Sequence, residues 1–123
     1  MESVPFRLDL GVSSVQGVMR LEKEQLAIDW RLYNAFDAPK GGVQSIAIPY
    51  SRIESIDYKG GFFGACLIVT VDTPAAFGDF PLPSGNIATL RAAVKRPDRS
   101  TARAWAAEAA LRAIDNDDPH LLE

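Results

Sequence analysis

Residues 15–33 read VQGVMRLEKEQLAIDWRLY, and this stretch decides the fold class. Apolar side chains occupy every second position of residues 26–33. This is the period of a β-strand with one buried face, because successive side chains of a strand point to opposite sides of its sheet. The same alternation runs through residues 15–21 and stops before Lys23 and Glu24, which indicates a hairpin turn. Two antiparallel strands are therefore predicted here.

Five further segments have the composition and length of strands: residues 6–10, 43–48, 53–58, 65–71 and 87–94. The fourth of them is apolar on both faces, which is typical of a strand covered from both sides. Two loops are predicted between the segments, because proline and glycine interrupt residues 35–42 and residues 73–86. Seven short strands in all are expected.

One helix is predicted at the C-terminal end of this region, over residues 101–114, where seven alanines favour helix formation. Asp98 is placed to accept hydrogen bonds from the amides of the first turn, and Ser100 is a second candidate for this capping position. At 100° per residue, one stripe of this helix combines Trp105 with four alanines, Ala102, Ala106, Ala109 and Ala113. We expect this stripe to pack closely on a sheet, with the indole filling a gap. A second apolar edge is available to a partner chain: Ala107, Leu111 and Ile114.

The charge balance disfavours nucleic-acid binding. The chain has 13 basic and 16 acidic residues, a net charge of -3. Four of the acids lie in residues 115–123, so that residues 1–114 carry thirteen bases and twelve acids. A nucleic-acid-binding protein would show a clear basic excess, because its affinity comes largely from phosphate neutralisation. We expect a single domain over residues 1–114, followed by an acidic, flexible tail.

Residues 48–56 read IPYSRIESI, and a glycine turn at 60–64 and an apolar strand at 67–69 follow them. Together with the early hairpin and the closing helix with its tryptophan, this order resembles bacterial pleckstrin-homology-like (PH-like) and GRAM-type domains over residues 4–114. The resemblance implies a mainly β split barrel, with seven antiparallel strands in two bent sheets capped by one C-terminal α-helix. It also implies a non-catalytic binding or assembly role.

The chain departs from the eukaryotic lipid binders of that family in one loop. Those proteins carry basic residues between their first two strands, where they grip inositol phosphates. Residues 11–14 read GVSS here and contain no base. This departure counts against phosphoinositide recognition at that position.

Few residues are suited to catalysis. The only histidine, His120, lies in the acidic tail, and Cys66 lies in the most apolar strand, where a thiol behaves as a small hydrophobe. An enzyme would need perturbed carboxylates such as Glu54 or Asp57. We expect no enzymatic activity, no cofactor and no metal. A single cysteine fits a reducing cytoplasm, and the excess of arginine over lysine favours a bacterial genome.

A glycine-flanked hairpin tip is the first candidate for contact with a partner. Phe62 and Phe63 lie there beside Lys59. They can enter a lipid interface or a protein groove, or they can fold back on the core. The same choice applies to three apolar residues of the second long loop, Phe77, Phe80 and Leu82.

Two polar groups are further candidates. One is an arginine–tyrosine set that is predicted to lie on the solvent faces of neighbouring strands: Arg31, Tyr33, Tyr50 and Arg52. Protein interfaces favour these residue types, but they are also ordinary on the exposed face of a strand. The other is a basic cluster that serves either as solubilising charge or as an anion-binding surface: Arg91, Lys95, Arg96, Arg99 and Arg103.

These observations lead to two hypotheses. The first is a cytoplasmic, non-enzymatic module that binds a protein or peptide, itself included, through a free strand edge or the Phe62 loop. The alternative is peripheral attachment to a membrane through Phe62, Phe63, Lys59 and the basic cluster.

Overall fold

A computed structural model of the chain describes residues 3–62, 64–82 and 88–117, with the backbone alone at 115–117. The strands are β1 (Val4–Asp9), β2 (Ser14–Leu21), β3 (Gln25–Tyr33), β4 (Pro39–Pro49), β5 (Ile53–Gly60), β6 (Ala65–Val71) and β7 (Thr89–Val94). The helix α1 (Arg99–Asp117) follows them, and short 3₁₀ turns lie at Tyr50–Arg52, Pro74–Phe77 and Arg96–Asp98. The prediction of seven antiparallel strands and one C-terminal helix is confirmed.

All seven strands belong to one sheet, in the order β4-β3-β2-β1-β7-β6-β5. Neighbouring strands pair over several residues, and β1 pairs with β2 from Val4 to Asp9. The junction between β1 and β7 is different, because Arg7 and Ala93 form its single register pair. Two separate sheets, which the resemblance to PH-like domains implies, are not seen among the described residues.

The core lies on the face of the sheet that α1 covers. The alternation predicted for the strands is present in β1, where Val4, Phe6 and Leu8 are buried and the residues between them are not. The predicted helix stripe is confirmed, since Trp105 is fully buried and the four alanines that flank it are buried as well. Because these alanines are small, α1 approaches the sheet closely and packs mainly against β5.

The start of β4 corrects one prediction. Residues 35–42 were expected to form a loop, yet β4 begins at Pro39 and continues through Gly41 and Gly42. A bulge opposite Arg31 makes this possible, because Gly41 adopts a positive φ of 85° there and Arg31 Nε donates a 2.8 Å hydrogen bond to its carbonyl oxygen. Glycine here marks a bulge in the strand and not its end.

The long loop after β6 folds back onto the core. Phe77 and Phe80 are buried. The ring of Phe80 meets the Trp30 ring edge to face, with centroids 5.3 Å apart, and lies 6.2 Å from the Phe6 ring. Leu82 is partly buried against the same cluster. Of the two positions predicted for these three residues, the structure therefore shows the one in which they fold back on the core.

A polar ladder crosses three strands on the opposite face of the sheet. The carboxylate of Asp29 on β3 accepts a 2.6 Å hydrogen bond from the Ser45 hydroxyl on β4 and a 2.9 Å hydrogen bond from Arg20 Nε on β2. The hydrogen bond from Ser45, together with the Arg20 guanidinium, holds the pKa of the Asp29 carboxyl below its ordinary value.

This ladder predicts a pH dependence of stability. A carboxyl whose pKa is lowered by folding stabilises the protein above its unfolded pKa, and this stabilisation is lost as the pH falls through the folded value. We expect Asp29→Asn to lower the free energy of unfolding by about 1–2 kcal/mol at neutral pH, through weakened charge-assisted hydrogen bonds. The loss should shrink below about pH 4.

Urea unfolding at several pH values measures this effect. Asp57→Asn is the matched control, because Asp57 is an exposed carboxylate on β5. An equal effect of the two substitutions at neutral pH, or a loss at Asp29 that is the same at every pH, would contradict the prediction.

Among the residues that the structure describes, no helix has the length and apolar composition needed to cross a membrane.

Candidate binding sites

The hairpin tip between β5 and β6 places an aromatic ring in solvent. The turn is closed by a 2.8 Å hydrogen bond from the Gly61 amide to the Gly64 carbonyl oxygen. Phe62 is 87% exposed, and Lys59 is exposed at the end of β5. Phe63 lies outside the described residues. Of the two predicted positions for Phe62, the structure therefore selects the exposed one.

A solvent-open cavity of about 390 Å³ lies beside this tip, between the hairpin and the start of α1. Six residues line it: Tyr58, Gly60, Gly61, Arg99, Ser100 and Arg103. Two of them are arginines one helical turn apart, so that their side chains share a face of α1. The positive end of the helix dipole is at the same place. None of these six lining residues is acidic, and the cavity therefore favours an anion.

Tyr58 fixes the position of one arginine. Its ring lies against the backbone of Gly60, where a Cβ atom would meet the Tyr58 hydroxyl oxygen at 2.8 Å. The Arg103 guanidinium carbon lies 5.3 Å from the centroid of the same ring, within the range of a cation–π contact. Because residue 60 has no side chain, the ring occupies the space between the strand backbone and the guanidinium.

Arg99, which lines this cavity, has one unused donor. Its Nε atom is buried and donates no hydrogen bond to any described residue. A buried donor without an acceptor is unfavourable by about 1–3 kcal/mol.

The predicted basic cluster is divided by the fold. Arg99 and Arg103 line the cavity. Arg91 is exposed on β7 at a position between two residues of the buried face, so it points away from α1. Lys95 and Arg96 are exposed near the 3₁₀ turn before α1, and Lys95 lines a different cavity together with Asp98.

The predicted arginine–tyrosine set is not formed. Tyr50 was expected on a solvent face but is fully buried, because the 3₁₀ turn after β4 breaks the strand alternation and directs its ring into the core. Arg52 in the same turn contacts Asp72 and Thr73. Arg31 and Tyr33 lie towards the other end of β3, about 20 Å away at the rise of a strand.

Tyr50 holds three elements together. Its hydroxyl donates a 2.6 Å hydrogen bond to the Glu22 carbonyl oxygen, and Arg112 on α1 donates a 3.0 Å hydrogen bond to the same oxygen. Burial raises the pKa of Tyr50, which keeps the phenol neutral and able to donate. This residue is therefore structural and leaves the list of candidate contact residues.

The edge of the sheet at β4 is the second candidate site. Nine of its eleven residues are exposed, and only Ile46 and Ile48 contact the interior. Residues 43–48 read VQSIAI and carry no charge, and Val43 is 68% exposed. The opposite edge, β5, packs against α1, so β4 presents the more accessible row of unpaired backbone groups.

The residues considered for catalysis are dispersed. Glu54 and Asp57 are exposed on β5, and Cys66 is half-buried, whereas a core thiol was expected. Its side chain lies on the less covered face of β6. Among the described residues, no three histidine, cysteine, aspartate or glutamate side chains are close enough to hold a metal ion together.

Comparison with known proteins adds no relative, because no protein family, no curated protein and no solved structure matches the chain.

The sequence did not single out Tyr58 and Gly60 as part of a site, although both line the cavity. Their i, i+2 spacing places both on one face of a predicted strand, which is a signal that could have been used. The first turns of α1 form the other wall of the cavity. They are distant in sequence from β5, so only the fold shows that the two walls meet.

Proposed function

We propose that the protein is a non-enzymatic, cytoplasmic binding module with a PH-like fold, whose partner is a protein or peptide strand that pairs with β4. The fold assignment is supported by the strand order, with β1–β4 on one side of the β1–β7 junction, β5–β7 on the other and a C-terminal helix over β5. In this proposal, the sheet bends at the single register pair of that junction into the two halves of a split barrel.

The exposed edge of β4 is the observation that carries the proposed partner. Unpaired backbone amides and carbonyls along an edge can pair with an added strand, and the side chains on either face then give specificity. Proteins commonly protect such an edge with charges, but residues 43–48 have none. Lys40 and the bulge at Gly41 protect only the beginning of β4.

A second copy of the chain is the partner with which the proposal is tested. We expect the mean mass in sedimentation velocity to rise above the 13.4 kDa of one chain as the protein concentration increases. Val43→Lys should reduce this association, because a lysine at an edge opposes strand addition.

Val12→Lys is the matched control, since Val12 is a similarly exposed apolar residue in the loop between β1 and β2, outside β4. A mass of one chain at every concentration would contradict association through this edge. An equal reduction of association in both variants would contradict it as well, because the effect would then be one of general charge.

Attachment to an anionic membrane is the second candidate function. It is supported by the exposed Phe62 ring next to a cavity lined by Arg99 and Arg103. An exposed aromatic ring can enter the lipid interface while adjacent cations bind the headgroups. Co-sedimentation with vesicles that contain phosphatidylglycerol, at low salt, is expected to be reduced by Phe62→Ser. An absence of sedimentation would exclude this function.

A further inference from the structure

We propose that the cavity between α1 and the β5–β6 hairpin is a binding site for a phosphate monoester. The phosphate can be the headgroup of a lipid or part of a soluble molecule. If the ligand is a lipid headgroup, this inference rests on the proposed membrane-binding function. If the ligand is a soluble molecule, it rests on the cavity alone.

The charges of the cavity match this ligand. Arg99 and Arg103 contribute two permanent positive charges. A phosphate monoester carries between about 1.5 and 2 negative charges at neutral pH, and its terminal oxygens accept several charge-assisted hydrogen bonds. A phosphodiester or a carboxylate carries a single negative charge and would leave one guanidinium without a matching charge.

The donors are also suited to phosphate. Guanidinium groups can bind phosphate oxygens through two parallel hydrogen bonds. Ser100 adds a neutral hydroxyl donor at the same wall.

The size of the cavity favours an esterified phosphate over a bare ion. A volume of about 390 Å³ corresponds to roughly a dozen water molecules at about 30 Å³ each. This is more than one phosphate group fills, and because the cavity is open to solvent, an esterified group can extend out of it. Gly61 has no side chain at this wall, which lets that group approach the backbone closely.

The position of the Arg103 guanidinium depends on Tyr58. The guanidinium lies over the ring in a cation–π contact, which holds its charge beside the cavity. Tyr58 is thus a positioning residue, and Tyr58→Leu should weaken phosphate binding although it changes no charge.

The test follows the backbone amide signals of Gly60, Gly61 and Ser100 by NMR during titration with glycerol 3-phosphate, at constant ionic strength. We expect saturable shifts that are confined to the cavity. Arg99→Gln and Arg103→Gln should each weaken binding by about five- to tenfold, the range of a charge-assisted hydrogen bond in a partly exposed site.

Arg91→Gln and Arg96→Gln are the matched controls, because they remove the same charge from exposed residues outside the cavity. They should change the affinity by less than about twofold, because charges at the surface are screened by salt. The dispersion of the remaining amide signals verifies that each variant is folded. Equal effects of all four substitutions, or no saturable shift with the unmodified protein, would overturn the proposal.

Vesicles distinguish the source of the phosphate. Phosphatidic acid presents a phosphate monoester and phosphatidylglycerol a diester, so vesicles of equal charge should bind differently if the lipid is the ligand. A preference for phosphatidic acid that is lost in Arg99→Gln supports the proposal with a lipid source. Saturable binding of glycerol 3-phosphate without sedimentation supports the cavity with a soluble ligand, and it excludes the membrane function.

Discussion

Replacement of Trp105 by alanine is expected to lower the free energy of unfolding by about 3–5 kcal/mol, the range measured for large buried side chains. Trp105 is the largest of the fully buried side chains. Its neighbours on the helix stripe are alanines, which have no side-chain atoms that can move into the vacated space. The indole N–H has no hydrogen-bond acceptor among the described residues, so the loss comes from packing and burial alone.

Urea unfolding monitored by circular dichroism measures this loss. Small domains have a total stability of about 5–15 kcal/mol, so the alanine variant can fall close to the unfolding threshold. Trp105→Phe keeps most of the volume and should lose less than the alanine variant. Leu111→Ala, on the exposed side of the same helix, should change stability by less than about 0.5 kcal/mol. Equal losses for Trp105→Ala and Leu111→Ala would refute the packing role of Trp105.

Gly17→Ala is expected to destabilise the fold by about 3 kcal/mol, at the upper end of the usual range for overpacking. Gly17 on β2 lies opposite Trp30 on β3. A Cβ atom at residue 17 would overlap the carbonyl oxygen of Asp29 and would lie 3.0 Å from the Trp30 Cα. Both obstacles are backbone atoms, so relief requires the two strands to separate, which would weaken their hydrogen bonds.

Gly42→Ala is the matched control. Gly42 is also a strand glycine, but a Cβ atom there would meet no atom within 4 Å. We expect this substitution to be neutral or slightly stabilising, because alanine restricts the unfolded chain more than glycine does. The same urea experiment compares the two variants. A loss at Gly17 that is no larger than the change at Gly42 would show that β2 and β3 accept a side chain at residue 17.

The periodic parts of the fold could be predicted from the sequence. The hairpin of β2 and β3 and the buried stripe of α1 follow from side-chain spacing, since a period of two or of 3.6 places residues on a face whatever the rest of the chain does. Prediction failed where the period is interrupted. The bulge at Gly41 extended β4 into a predicted loop, and the 3₁₀ turn at Tyr50–Arg52 moved Tyr50 from the surface to the core.

The candidate sites depended on contacts between distant parts of the chain. Phe62 was identified because glycines around an aromatic pair mark an exposed turn, but its exposure was decided only by the fold. The basic cluster could be recognised in the sequence as a run of charges. Its separation into arginines that line the cavity and arginines on the open surface could not be predicted. The arginines that share the cavity are determined by how α1 lies against Tyr58. This contact joins parts of the chain that are some forty residues apart in sequence.

The position of β7 between β1 and β6 has a consequence for folding during synthesis. The first four strands pair with their neighbours in chain order, and β5 and β6 form a hairpin of their own. Among the strands, only β7 pairs with both pieces, through one register pair with β1 and a longer ladder with β6. A nascent chain can therefore pair the strands of each piece separately, and the sheet becomes continuous only when residue 94 has left the ribosome. Until then, the side of β1 that awaits β7 remains unpaired and open to erroneous association.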